Sequence, residues 1–385
     1  MTEDWQYGGF GLYIHWPFCE AKCPYCDFNS HVSRKIDQKG WLRAYLSEID
    51  RVAAETPNRV LNTVFFGGGT PSLMDPDTVA AVITAVKRHW PTSNDMEITL
   101  EANPSSVEAG RFAGFRDAGV SRISMGVQAL NDADLKRLGR IHSVADARNA
   151  FDIARNTFDR VSFDLIYARQ DQTLSDWESE LKQALNMAID HLSLYQLTVE
   201  SGTAFGDRYK AGKLRGLPTE DLSADMYQLT QDLCSAHDMP AYEVSNHARP
   251  RAESRHNLMY WRYGDYLGIG PGAHGRVTLK GARFATECWS NPNAWLNAVG
   301  NGTGEKPKTL LSPQDQSEEY LMMGLRIPQG VDIQRYKALS GRALSEAALR
   351  SLVDLGMLNV TDSNISVTKQ GVMVLNSVIS ELVTG

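Results

Sequence analysis

GLYIHWPFCEAKCPYCDFN, residues 11–29, holds three cysteines, Cys19, Cys23 and Cys26, in the spacing C-x3-C-x2-C. Three soft thiolates in so short a stretch, with one corner left unfilled, suit an iron–sulfur cluster that keeps one open iron. A structural zinc ion would want a fourth ligand nearby, and His15 or His31 could supply it, so zinc is the competing reading. The flanks favour the cluster. Leu12, Tyr13 and Ile14 read as a strand that ends where the cysteines begin. Trp16, Phe18, Tyr25 and Phe28 supply the aromatic packing that shelters a cluster from water.

Outward from this loop, the first 200 residues alternate short apolar runs with amphipathic helical stretches. The predicted strands are Gly11–His15, Val60–Phe66, Met96–Glu101, Arg122–Gln128, Arg160–Tyr167 and His191–Leu197. Between them, Trp41, Tyr45, Ile49 and Val52 recur at helical spacing, Asp75-Pro76 opens a second helix, and Trp177, Leu181, Ala184 and Leu185 share the face of another. Six such units in series predict an α/β fold with a parallel sheet. A full eight-unit barrel would have to recruit less regular sequence. After a helical stretch at 219–237 the pattern changes to one rich in glycine, tyrosine and tryptophan, and GNGTGEKPK at 300–308 has the composition of a linker. Helices near 312–326, 344–355 and 369–383, with short strand-like pieces, predict a small helical domain with a wing-like hairpin. The expected divisions are 1–240, 241–300 and 301–385.

With 39 basic and 46 acidic residues the net charge is −7, which disfavours nucleic acid and anionic membranes as partners. No apolar run reaches the length of a transmembrane helix, and the acidic start MTEDWQYGG is unlike a signal peptide. Five cysteines, three of them clustered, make no disulfide framework, so a reducing and hence cytoplasmic setting is expected. Cys234 and Cys288 read as buried small residues.

Barrels of βα units carry their chemistry at the C-terminal strand ends, and polar residues gather there. Gly67-Gly68-Gly69-Thr70 follows the second strand, where glycines let the backbone approach a ligand and present free N–H groups. Glu101 ends the third strand, where a carboxylate could meet ribose hydroxyls or an ammonium group, though by itself it reads better as a helix-capping or surface acid. Gln128 closes the fourth, Arg140 follows it, and Asp164 lies in the fifth. Gly270-Pro271-Gly272-Ala273-His274-Gly275 fits G-x-G-x-x-G, but a strand-like stretch follows instead of a helix. A glycine-rich bend packed near the cysteine loop is expected there, and no dinucleotide site.

Y-x-H-x-P-F-C-x3-C-x-Y-C at Tyr13–Cys26 resembles the cluster loop of radical S-adenosylmethionine (SAM) proteins, in the branch of oxygen-independent coproporphyrinogen III oxidases and HemW-type heme chaperones. The resemblance runs through nearly the whole chain. It implies an incomplete (β/α)6 TIM-like barrel with a smaller C-terminal domain. It also implies a [4Fe-4S] cluster on Cys19, Cys23 and Cys26, whose fourth iron is chelated by SAM. The matching cofactor positions are Tyr13, Tyr25, Gly68, Gly69, Thr70, Glu101, Gln128, Arg140 and Asp164. Arg140 is then expected at the SAM carboxylate. One departure is that Asp164-Leu165-Ile166-Tyr167 continues as Ala168-Arg169-Gln170, where the family has Gly-Leu-Pro.

His256-Asn257-Leu258-Met259-Tyr260-Trp261 resembles the heme motif of the chaperone branch, implying His256 as axial ligand; from the residues alone, core packing is the expectation. Phe28 stands where the oxidase has a further cysteine, and about ten residues precede Tyr13, too few for the oxidase's N-terminal lid. These differences favour a chaperone that binds heme and delivers it to recipient hemoproteins over a decarboxylating enzyme.

Overall fold

The computed structural model describes residues 3–33 and 35–384. Eleven strands form one sheet: β1 (Phe10–Trp16), β2 (Leu61–Gly68), β3 (Thr92–Ala102), β4 (Arg122–Gln128), β5 (Arg160–Tyr167), β6 (His191–Gln196), β7 (Asn246–Ala248), β8 (Asp265–Ile269), β9 (His274–Leu279), β10 (Ala282–Glu287) and β11 (Thr309–Leu310). The order across the sheet is β11-β10-β9-β8-β1-β2-β3-β4-β5-β6-β7. Strands β1 to β6 pair in parallel in sequence order, so all six expected units form. Their central residues are buried, and in β1 only Tyr13 keeps partial exposure, whereas the start of β3 (Thr92–Met96) and the end of β6 (Tyr195 and Gln196) reach the surface. Burial on both faces is what the near-continuous apolar runs signalled.

Helices cover the outer face: α1 (Gln38–Glu55), α2 (Pro76–His89), α3 (Asp132–Arg137), α4 (Val144–Thr157) and α5 (Leu174–Met187), followed by α6 (Glu220–Ala236) and α7 (Arg255–Trp261). Helix α1 buries Trp41, Tyr45, Ile49 and Val52, its Asp37 cap accepting from the Gly40 N–H. Helices α4 and α5 start in full capping boxes at Ser143 and Thr173.

The glycine- and aromatic-rich segment contains what sequence periodicity did not reveal, a seventh parallel strand. β8 pairs with β1 from Phe10↔Asp265 to Ile14↔Ile269, and β9, β10 and β11 continue antiparallel. The glycine bend at 270–275 joins β8 to β9 against the cysteine loop. Asn29 donates to the Pro271 carbonyl at 2.8 Å, and a Cβ on Gly270 would lie 2.3 Å from the His15 carbonyl oxygen. Residues 300–308 are tied down: buried Glu305 pairs with Arg51 at 3.2 Å and with Lys308 at 2.9 Å.

Beyond them lie α8 (Pro313–Gly324), α9 (Ile333–Ser340), α10 (Glu346–Asp354), a hairpin at 358–367 and α11 (Leu375–Thr384), packed on their own apolar core. The expected terminal helix is split, a short turn at Lys369–Val372 preceding α11. This unit docks through apolar contacts, Tyr263 joining its core, and through charge. Glu319 of α8 takes Arg276 of β9 at 2.7 Å, and Arg335 of α9 holds Asp4 at 2.7 Å.

Candidate functional site

The loop after β1 is pinned by a short parallel pairing of Phe18–Cys19 with His31–Val32. It brings Cys19, Cys23 and Cys26 to one cavity, shared with Gly68, Gly69, Thr70, Glu101, Gln128, Arg140, Asp164 and Tyr25. All but two of the sequence-predicted cofactor residues therefore converge. The Thr70 hydroxyl donates to Cys19 Sγ at 3.4 Å, and Arg140 Nη1 donates to Cys23 Sγ at 3.4 Å. Asn103, overlooked in the sequence, joins these contacts: its amide donates to Thr70 Oγ1 at 3.1 Å and its carbonyl accepts from Arg140 Nη2 at 2.5 Å. The signal available was its position two residues past Glu101, at the same strand end.

The glycine segment differs from expectation. Its N–H groups are committed: Gly68 donates to Glu101 Oε2 at 3.1 Å, Gly69 to the Trp16 carbonyl at 2.7 Å, and Thr70 to the Phe18 carbonyl at 2.8 Å. The segment thus fixes the cysteine loop's backbone. The glycines are required all the same. Gly68 has φ 112°, and a Cβ there would lie 2.6 Å from the His15 ring; one on Gly69 would lie 2.6 Å from the Phe18 carbonyl oxygen. Gln128 also adopts a left-handed φ of 74°.

Two carboxyls face this cavity without a basic partner bonded to either. Burial, with Asp164 beside it, lifts the Glu101 pKa to about 8, and burial lifts Asp164 to about 6. Asp164 Oδ1 has no hydrogen-bond partner. Buried, unpaired acids of this kind favour a cationic or hydroxyl-bearing ligand.

Tyr13 and His256 lie elsewhere. Tyr13 lines a second cavity of about 420 Å³, walled by Tyr260, Trp261, Tyr266, His274 and Met323. His256 is 1% exposed. Its Nδ1 is 2.8 Å from the Thr63 hydroxyl and its Nε2 is 2.7 Å from the Tyr260 hydroxyl. It stacks on Phe65, ring centres 5.0 Å apart, and burial lowers its pKa to about 3. The expected axial ligand therefore sits behind the cavity wall, with both ring nitrogens engaged. Helix α7 holds it there, since Glu97 accepts from the first N–H groups of the helix. Phe28, Gly68 and Glu101 line both cavities.

Residues 13–184 match the Radical SAM superfamily, and residues 311–374 match the HemN C-terminal domain. Heme chaperone HemW of Escherichia coli (strain K12) is 36% identical, with 96% of each chain covered. Radical S-adenosyl methionine domain-containing protein 1, mitochondrial, of Bos taurus is 38% identical over 97% of this chain and 87% of that one. This chain belongs to the HemW family of radical SAM proteins. The solved structure of coproporphyrinogen III oxidase (HemN) from Escherichia coli, 21% identical, superposes with a TM-score of 0.82 over 98% of this chain and 92% of that one, the same partial-barrel fold.

Membership of the radical SAM superfamily implies a [4Fe-4S] cluster and SAM, and the HemW-family site here fits both. Among the described residues no three His, Cys, Asp or Glu side chains converge on one ion position. The unpartnered Asp164 oxygen and the raised Glu101 offer acceptors to an ammonium, a sulfonium or ribose hydroxyls. No helix among the described residues is long and apolar enough to cross a membrane.

Proposed function

We propose that this chain is a heme chaperone: it captures heme and passes it to recipient hemoproteins, on a scaffold whose Cys19, Cys23 and Cys26 hold a SAM-ligated [4Fe-4S] cluster. In this reading SAM lies among Gly68, Gly69, Thr70, Glu101, Gln128, Arg140 and Asp164, with Tyr25 packing beside the cluster. The observation that carries it is the aromatic cavity adjoining the cysteine cavity. Its volume is in the range of small-molecule sites, and its flat side chains suit a macrocycle. The heme chaperone named among the relatives supports the reading. Ligation by His256 within this scheme asks Tyr260 to release the imidazole first. No disulfide joins any of the five cysteines, which suits a reducing compartment, and on that ground we place the protein in the cytoplasm, although relatives are named as mitochondrial.

The second reading, coproporphyrinogen III oxidase, draws on the shared fold. Phe28, where the oxidase has a cysteine, is 61% exposed and opposes it. The test is an anaerobic heme titration of cluster-reconstituted protein beside a coproporphyrinogen III turnover assay with SAM and reductant. A Soret band saturating at one heme per chain, with no turnover, is expected. Multiple turnover would replace the chaperone by the oxidase. Replacing all three cluster cysteines by alanine should abolish the broad visible absorbance; full iron content in that variant would remove the cluster assignment.

A further inference from the structure

We infer that the iron of bound heme is ligated by His274, within the aromatic cavity, and that His256 is a positioning residue behind its wall. The inference rests on the heme reading above, and the donor atoms in the cavity carry it. Two histidines line that cavity, His15 and His274. His15 is 5% exposed, its Nδ1 3.1 Å from the Tyr13 hydroxyl and its Nε2 2.9 Å from the Asn29 carbonyl oxygen. Neither nitrogen is available. His256 is occupied in the same way by Thr63 and Tyr260. His274 is exposed, and among the described residues its ring makes no hydrogen bond. A neutral imidazole with a free lone pair is what heme iron requires.

Several other polar groups of the cavity are already partnered. Tyr260 meets His256, and the Tyr263 hydroxyl donates to Glu319 Oε2 at 2.8 Å. Arg276 lies two residues from His274 on the same face of β9. It would suit a propionate, but Glu319 holds it from Nε at 3.0 Å and from Nη2 at 2.7 Å. His274 is thus the imidazole that the cavity leaves free, on a strand paired opposite Glu287. Tyr260, Trp261, Tyr266 and Met323 supply the flat apolar walls. A single ligand at the exposed end leaves the other face of the macrocycle open to a recipient, as transfer needs. Tyr260, bonded to His256 and packed edge-on to Tyr266 with ring centres 4.5 Å apart, is what His256 positions.

The test is a hemin titration of cluster-reconstituted protein, comparing the parent chain with His274→Ala, His274→Gln and His256→Gln. Circular dichroism and cluster absorbance serve as fold controls. Both His274 variants should lose the imidazole-type Soret position and bind hemin more weakly by roughly tenfold or more, and added imidazole should restore the spectrum of His274→Ala. His256→Gln should keep the Soret position and melt at a lower temperature. Parent-like spectra and affinity in the His274 variants, or loss of the imidazole spectrum in His256→Gln alone, would overturn the assignment while leaving heme binding in place. A parent chain that binds no hemin would remove the heme reading itself, and this inference with it.

Discussion

Glu101 carries a carboxyl whose protonation is coupled to folding. Its folded pKa of about 8 lies above the ordinary carboxylate value, so the folded chain binds the proton more tightly than the unfolded one. The cost of ionising it is absent near pH 4.5, grows as pH rises through that window and is complete above pH 8. Glu101→Gln should therefore melt higher than the parent at pH 8.5, by roughly 1–2 °C for each kcal/mol recovered, with the difference vanishing near pH 5. A difference independent of pH, in melts without SAM, would refute this. The same variant should bind SAM less well. Ala168 shows a different strain. It holds φ 57° at the position where the resembling family has glycine. A left-handed L-residue costs about 1–2 kcal/mol, and glycine's extra chain freedom returns about 0.5–1 of that. Ala168→Gly should gain up to about 1 kcal/mol in urea unfolding; a loss would contradict the argument. At this scale the sequence was informative where chemistry collects at strand ends, as with the cysteines, Glu101 and Asp164. It said less about which cavity a side chain enters. Tyr13 faces the other cavity, and His256 faces Thr63 on β2.

Between β5 and α5, Arg169 fills the loop that departs from the family pattern. It is 4% exposed; its Nη2 pairs with Glu180 at 2.5 Å and Asp134 at 3.0 Å, and its Nη1 donates to the Ile166 carbonyl at 2.5 Å. Asp134 belongs to α3, which precedes Arg140, so this ion cluster ties the Asp164 strand to the helix that delivers Arg140 to Cys23. Arg169→Ala should cost about 3–5 kcal/mol by leaving Glu180 buried and uncompensated. Arg169→Leu combined with Glu180→Leu should recover much of that loss in urea unfolding; a double variant no better than the single one would show that the charges are not the cause. The six inner strands were legible because parallel strands buried on both faces are near-continuous apolar runs. β8 was not. It is five residues long, contains Gly268, and depends on pairing with β1, more than 240 residues earlier in the chain, for which no local signal exists. The aromatic cavity was hidden for the same reason, since Tyr13, His274 and Met323 meet only through that pairing and the docking of α8.

Across the whole molecule, the C-terminal unit is held to the barrel at few points. Arg335 reaches Asp4 and the Arg262 and Tyr263 carbonyls, and stacks over Tyr320 with 4.5 Å to the ring centre. Arg335→Ala should weaken docking by about 1–3 kcal/mol. Hydrogen exchange should then quicken across residues 313–384 while β1 stays protected; uniform protection would mean the apolar contacts alone hold the unit. Phe28, Gly68 and Glu101 have a wider consequence, because whatever fills one cavity becomes part of the wall of the other. Free energy is a state function, so on the proposed function the factor by which SAM alters heme affinity must equal the factor by which heme alters SAM affinity. Coupled sites commonly show factors of roughly 5–150. A ratio of one in both titrations would mean that the partition is inert. Any other value would let the supply of a methyl-donor metabolite set how firmly heme is carried, with no additional regulator involved.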